Sequence, residues 1–151
     1  MQKILFQNKE AGYHYEILET FEAGIKLKGH EVKALMNGKG SLKGAYVSFR
    51  GSNLYLVNFY IAPYQEKNVP SNYDPYRERL LLLTKKEINY LLGKIKQKGI
   101  TLIPLQVYLK NRLIKIKIAL VRGLKKYEKR DKIKKREFER LKGRYLKSKQ
   151  L

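Results

Sequence analysis

The last thirty residues, 122–151, set the strongest limit on what this chain can fold into. They carry fourteen Lys or Arg against four acids (Glu128, Asp131, Glu137 and Glu139), an excess of ten positive charges in about a fifth of the chain. A run like this repels itself and has few apolar residues to bury, so it does not recover its ordering entropy alone. Its natural partner is a polyanion, because each neutralised phosphate releases counterions and the arm can order on that surface. An anionic membrane fits less well, since the apolar residues form too thin a stripe for an interfacial helix. The division expected is a folded domain over residues 1–122 and a basic tail over 123–151, disordered when free.

The chain has 151 residues and a formal charge of +21, so the front part is basic as well. Roughly 120 residues suffice for one compact domain and not for two. The absence of Cys excludes disulfides, thiolate zinc sites and cysteine nucleophiles. No apolar stretch is long enough to span a bilayer, and the start MQKILFQNKE lacks the apolar region of a secretory signal. These features lead us to expect a soluble, cytoplasmic protein.

Residues 15–18 and 24–27 carry strand-type side chains, consistent with one long, bent first strand. Residues 29–36 place Val32, Leu35 and Met36 at helical spacing before Asn37-Gly38. Residues 45–50 and 54–59 flank Gly51-Ser52-Asn53 and read as a hairpin. Residues 60–78 hold Pro63, Pro70 and Pro75 with little periodicity, as in a long surface loop. Residues 80–83 suit a buried strand. Thr84 to Glu87 then has capping-box form ahead of a helix whose inner face is Ile88, Leu91, Leu92 and Ile95. A second hairpin joins 101–110 to 113–122 at Asn111-Arg112. In its last strand Ile114, Ile116, Ile118 and Leu120 alternate with Lys115 and Lys117, giving one apolar face and one basic face. The fold class expected is mainly β: a small oligonucleotide-binding-type barrel of about six strands with two or three helices.

Catalytic patterns are lacking. His14 and His30 stand outside any metal-binding spacing, no Ser lies in a nucleophile elbow, and Gly38-Lys39-Gly40-Ser41 lacks the rest of a phosphate loop. Glu16, Glu19 and Glu22 are the nearest approach to a nuclease site, but on an extended strand Glu16 and Glu22 share a face while Glu19 points away. A solvated or RNA-contacting acidic patch is the better account. No cofactor or metal is implied.

Several segments line up in order with one family: Asn8-Lys9, Tyr15-Glu16-Ile17, Phe21-Glu22-Ala23-Gly24, the run from Gly29 through His30, Glu31, Val32, Lys33 and Ala34 to Leu35, Ile61-Ala62-Pro63-Tyr64, Asp74-Pro75, Arg79 with the four leucines after it, Lys110-Asn111, and Gly123 through Arg130. Each is short, but in number, order and spacing they closely resemble the SsrA-binding protein (SmpB) family over nearly the whole length. The resemblance implies a bacterial, non-enzymatic partner of transfer-messenger RNA. Such a protein binds the tRNA-like domain, supports its delivery with elongation factor Tu and acts on stalled ribosomes. It also implies a barrel with added helices, and a tail that enters the empty messenger channel of the small subunit and becomes helical there.

Carried over by position, Glu22 matches a family glutamate needed for RNA binding, and Leu82, Thr84 and Lys115 match further RNA-surface positions. Thr84 stands where some members have Asn, and its capping role is the safer reading. Tyr13 replaces a frequent His, which keeps a stacking role and removes a charged-imidazole one. Tyr127 falls at the tail position implied to stack in the decoding centre. Glu128-Lys129-Arg130 corresponds to a family Asp-Lys-Arg, with the acid one methylene longer.

Structured RNA is read by shape, 2′-hydroxyl and phosphate contacts, and stacking on exposed bases. Lys9, Tyr13, Tyr15, Lys115 and Lys117 supply those residue types; for Tyr15, core packing and RNA contact are equally open. On the tail, Gly123, Tyr127, Glu128, Lys129, Arg130, Lys134, Arg136, Arg140 and Arg144 are the expected ribosome contacts. The pairs Glu128–Lys132 and Asp131–Lys135 each favour a helix by about 0.2–0.5 kcal/mol. The row Arg136, Arg140 and Arg144 opposes it, and Gly143 costs about 1 kcal/mol relative to Ala. A helix over about 131–147 is therefore expected only when phosphates line the groove. The expected assembly is a monomer bound to RNA. Two alternatives use the same composition: a ribosomal or other structured-RNA-binding protein with a basic extension, and an RNA-processing enzyme using Glu16 and Glu22.

Overall fold

The computed structural model describes residues 2–64 and 69–123, together with Arg136, Glu137 and Arg140. Among the described residues of 2–123, nine strands and three helices follow one another: β1 (Gln2–Gln7), α1 (Ala11–His14), β2 (Tyr15–Ile25), α2 (Gly29–Met36), β3 (Gly40–Ser41), β4 (Tyr46–Arg50), β5 (Asn53–Val57), β6 (Tyr60–Ile61), β7 (Arg79–Leu82), α3 (Lys85–Ile95), β8 (Ile100–Lys110) and β9 (Leu113–Gly123). Seven of the strands form one antiparallel sheet in the order β1-β8-β9-β2-β7-β5-β4, and β3 pairs separately with β6. The sheet rolls until β4 packs against β8, but no ladder joins β4 to β1, so the barrel is partly open.

The β8–β9 hairpin is the backbone of this sheet. Asn111 and Arg112 both adopt positive φ, 49° and 68°, which is the twist a two-residue hairpin turn requires. β9 then pairs along its length with both β8 and β2. Its alternation appears as expected: Ile114, Ile116, Ile118 and Leu120 enter a core shared with Ala23, Leu54, Leu56, Phe59 and Ile61, and with Ala34, Leu35 and Leu91 from α2 and α3. Beyond Lys117 the outward side is covered too. Ala119 and Val121 form a second small cluster with Ile103 and with Ala11 of α1.

Three expectations need correction. The long bent strand is the second, because residues 2–7 form an edge strand against β8. Its period is hidden by a bulge between Ile4 and Phe6, which lets Leu5 and Phe6 both pack against the core. The strand count accordingly exceeds six. The region 60–78 is not a plain surface loop: Tyr60 and Ile61 pair with Ser41 and Gly40, and its later part is tied into the interior by charge.

That tie is a buried ion cluster. Glu31 of α2 and Arg79 of β7 are both fully buried, joined through Arg79 Nη2 to Glu31 Oε2 at 2.5 Å and Nε to the same oxygen at 2.9 Å. Arg77 Nη2 donates to Glu31 Oε1 at 2.5 Å, and the Lys28 amide donates to it at 2.8 Å. The Tyr73 hydroxyl donates to Glu31 Oε2 at 3.1 Å, and Arg79 also donates to the Phe59 carbonyl. Burial pushes the Glu31 carboxyl up, but the Arg77 hydrogen bond, the Lys28 amide and Arg79 outweigh it and bring the pKa down from 4.5 to about 2.

A folded-state pKa below the unfolded value means that Glu31 stabilises the fold fully above pH 4.5 and loses that contribution as pH falls through about 2. Glu31→Gln leaves Arg79 buried without its counter-charge and should cost about 3–5 kcal/mol in urea unfolding at neutral pH. The same variant should show a flatter loss of stability between pH 4.5 and 2 than the parent protein.

Candidate nucleic-acid interface

The outer face of the sheet takes its chemistry from register. Lys115 lies opposite Gly24 on β2 and Tyr108 on β8; Gly24 in turn lies opposite Leu82 on β7, and Tyr108 opposite Ile4 on β1. Leu82, Gly24, Lys115, Tyr108 and Ile4 therefore form one row across five strands. Both ends of the row are apolar and open, Leu82 at 54% exposure and Ile4 at 51%. A Cβ at position 24 would sit 3.2 Å from Leu82 Cβ, so the glycine lets Leu82 lie close over β2. The next row sets Glu22, Lys117 and Gln106 side by side.

Glu22 links the two rows. It accepts a hydrogen bond from the Tyr108 hydroxyl, and Lys110 Nζ stands 3.3 Å from its Oε2 and 3.4 Å from its Oε1. The Tyr108 hydroxyl holds the Glu22 carboxyl below its ordinary value; some desolvation opposes this, and Lys110 and Lys115 reinforce it. Tyr108 is 1% exposed, and burial pushes its phenol well above 10, with Glu22 adding to the rise. Glu22 thus carries its charge inside a basic patch while remaining open to solvent.

Sequence reading missed Tyr108. It falls in phase with Gln106 and Lys110 on the polar side of β8, and that phase was the available signal. The bulge between Ile4 and Phe6 on the partner strand gave no help in reading it.

The other candidates lie elsewhere on the body. Lys9 is exposed in the turn after β1, which Asn8 fastens to β8 through its amide to Leu105 O at 2.7 Å and its side chain to Pro104 O at 3.0 Å. Tyr13 lies half-buried on α1 with the Arg136 guanidinium 4.6 Å from its ring centre, a cation–π distance. Arg136, Glu137 and Arg140 line a pocket there with Glu10, Tyr13 and His14. Tyr15 packs against the small cluster of Ala11, Ile103, Ala119 and Val121, so part of its ring serves the fold. Gly123 pairs with Tyr15 as the last residue of β9, eight positions past Lys115, or roughly 26 Å along the strand. Lys115, Lys117, Glu22 and Leu82 thus share one surface, while Tyr13 and Tyr15 lie toward the other end of the sheet. Tyr127, Glu128, Lys129, Arg130, Lys134 and Arg144 lie outside the described residues, as does most of the expected 131–147 helix.

The three acids of β2 do not sit as an unbroken strand predicts. The bulge between Ile17 and Glu19 shifts the register, so Glu16 lies opposite Arg122 and Glu19 opposite Leu120, while Glu22 lies opposite Lys117 on the other face. Glu16 and Glu22 therefore do not share a face. Each has its own partner: Glu16 accepts from Arg122 Nε at 3.0 Å, and Glu19 accepts from the Tyr90 hydroxyl at 2.6 Å. Among the described residues no group of three or more His, Asp or Glu could hold a metal ion.

Thr84 has the role its sequence context suggests. Its Oγ1 accepts the Glu87 amide at 3.2 Å, and Glu87 Oε1 accepts the Thr84 amide at 3.2 Å, closing a reciprocal cap on α3. Thr84→Ala should lower stability by about 0.5–2 kcal/mol in denaturant unfolding, and Thr84→Ser should recover most of the loss.

The family model described as SmpB protein matches residues 5–148. The SsrA-binding protein of Trichodesmium erythraeum is 44% identical over 97% of this chain and 94% of its own length. That of Persephonella marina is 48% identical over 91% of this chain and 90% of its own. A chain in the solved structure described as "tmRNA-SmpB: a journey to the center of the bacterial ribosome" superposes with a TM-score of 0.65 at 49% identity, covering 82% of this chain and 87% of that one. With a partly open β-barrel, a basic outer face and a match along nearly its full length, this chain belongs to the SmpB family of SsrA-binding proteins.

Proposed function

We propose that this protein binds transfer-messenger RNA and works with it on the ribosome in trans-translation. One observation carries the reading: kinship along almost the entire chain with SsrA-binding proteins, including a solved chain described with that RNA and the bacterial ribosome. The family is one of RNA-binding proteins, not enzymes.

The physical basis is a division of labour. The outer face around Lys115, Lys117, Glu22 and Leu82 meets the tRNA-like domain, with lysines on phosphates and the apolar row ends against sugar or base surfaces. Lys9, Tyr13 and Tyr15 extend the contact toward α1. The basic arm after Gly123 enters the empty messenger channel of the small subunit, becomes helical among its phosphates and brings Tyr127 to the decoding centre. A stacked tyrosine there is worth roughly 1–3 kcal/mol. The protein acts as a monomer in the cytoplasm, and elongation factor Tu joins through the aminoacylated RNA.

Two measurements test this reading. A chain ending at Gly123, the last residue of β9, should keep most of its affinity for the tRNA-like domain and lose release of stalled ribosomes; rescue at the normal rate would overturn the proposed role of the arm. Lys115→Ala should weaken RNA binding and reduce the slope of log K against log salt by about 1, as expected for one lost phosphate contact.

A further inference from the structure

A carboxylate in an RNA-facing patch is electrostatically out of place. Glu22 is surrounded by Lys110, Lys115 and Lys117, yet its own charge repels the phosphates those lysines attract. It can meet RNA favourably only as an acceptor, from a base amino or imino group or a 2′-hydroxyl. Acceptance with selectivity requires a fixed carboxylate, and an exposed glutamate side chain on a strand is ordinarily free to rotate.

We propose that Tyr108 is a positioning residue for RNA recognition: its buried hydroxyl clamps Glu22 Oε2 and turns Oε1 outward as an acceptor for a hydrogen-bond donor on the RNA. This inference rests on the outer face being the RNA surface. Tyr108 suits the task because its ring is immobilised on the sheet between Ile4 and Lys115, at 1% exposure, and its one polar atom is spent on Glu22. Lys110 Nζ reaches both oxygens at long range, 3.3 Å and 3.4 Å, whereas the phenol holds Oε2 alone, so Oε1 has only an exposed, long contact that RNA can displace. The titratable groups facing Glu22 are Tyr108 and Lys110 from β8 and Lys115 and Lys117 from β9; on the β7 side the strand pairing stops at Gly24, two residues on, where Leu82 carries no charge. The hydroxyl stabilises the ionised carboxylate, so its loss should also be visible as a change in Glu22's own titration.

The full-length protein, the tRNA-like domain of transfer-messenger RNA as probe, and polyphosphate as a control without nucleobases provide the test. Tyr108→Phe should weaken RNA binding roughly tenfold, the scale of one hydrogen bond to a charged group, and leave polyphosphate binding unchanged or stronger. In the Glu22→Gln background the same change should have no further effect. Carbon-detected NMR titration should find the Glu22 carboxyl ionising at higher pH in Tyr108→Phe than in the parent. Glu22→Asp, an exposed change that withdraws the carboxylate from the phenol without removing charge, should reproduce the selective loss and guards against a folding defect in Tyr108→Phe. Additive losses in the double variant, or a loss in Glu22→Gln with none in Tyr108→Phe, would overturn the clamp while leaving the interface in place. Normal RNA binding by Glu22→Gln would overturn the interface reading, and the clamp with it.

Discussion

Everything on the outer face depends on the phase of β9. Four aliphatic residues, Ile114, Ile116, Ile118 and Leu120, are drawn into the core, and that burial fixes the strand's register against both of its neighbours. Because side chains alternate, a slip of one residue would send Lys115 and Lys117 inward and turn the isoleucines out. The penalty for burying two unpaired ammonium groups excludes that arrangement. Hydrophobic burial on one side thus dictates where charge stands on the other, and Gly24, Glu22 and Tyr108 take their places relative to those lysines.

The buried charge cluster does a different job. Apolar packing is tolerant of small displacements, whereas Glu31 must satisfy Arg79, Arg77, Tyr73 and the Lys28 amide together. The cluster fastens α2 and the segment before β7 in one arrangement, and through β7 it sets the strand that carries Leu82. Leu82, on the outer face, is in this way tied to an ion pair on the opposite side of the sheet.

How much of this could be read from sequence follows from how local each signal is. The β8–β9 hairpin, the β4–β5 hairpin, α2 and the Thr84 cap are encoded by residues within a few positions of one another, and all appear as expected. The strand at residues 2–7 and the shift within β2 were hidden by bulges, which break the two-residue period that makes strands visible. That hidden shift also misplaced Glu16 relative to Glu22. The interior anchoring of residues 60–78 escaped because Arg77 and Arg79 find Glu31 more than forty positions away. On the candidate surface, the outward placing of the β9 lysines was legible from alternation, and that of Glu22 and Leu82 only through family resemblance. Tyr108 was not, because a tyrosine in a strand gives no sign of whether its hydroxyl will meet a carboxylate from a distant strand.

The pairing of β1 with β8 has a consequence for how the molecule is made. Gln2 to Gln7 find partners only among Gln106 to Lys110, about a hundred positions later in synthesis. Until those residues emerge, the first strand has nothing to pair with, and the sheet lacks two of its three longest members, β8 and β9. Contacts this distant in sequence slow folding, because a large loop must close before any of them forms. The edge of the sheet that β1 forms therefore cannot close before β8 has been made.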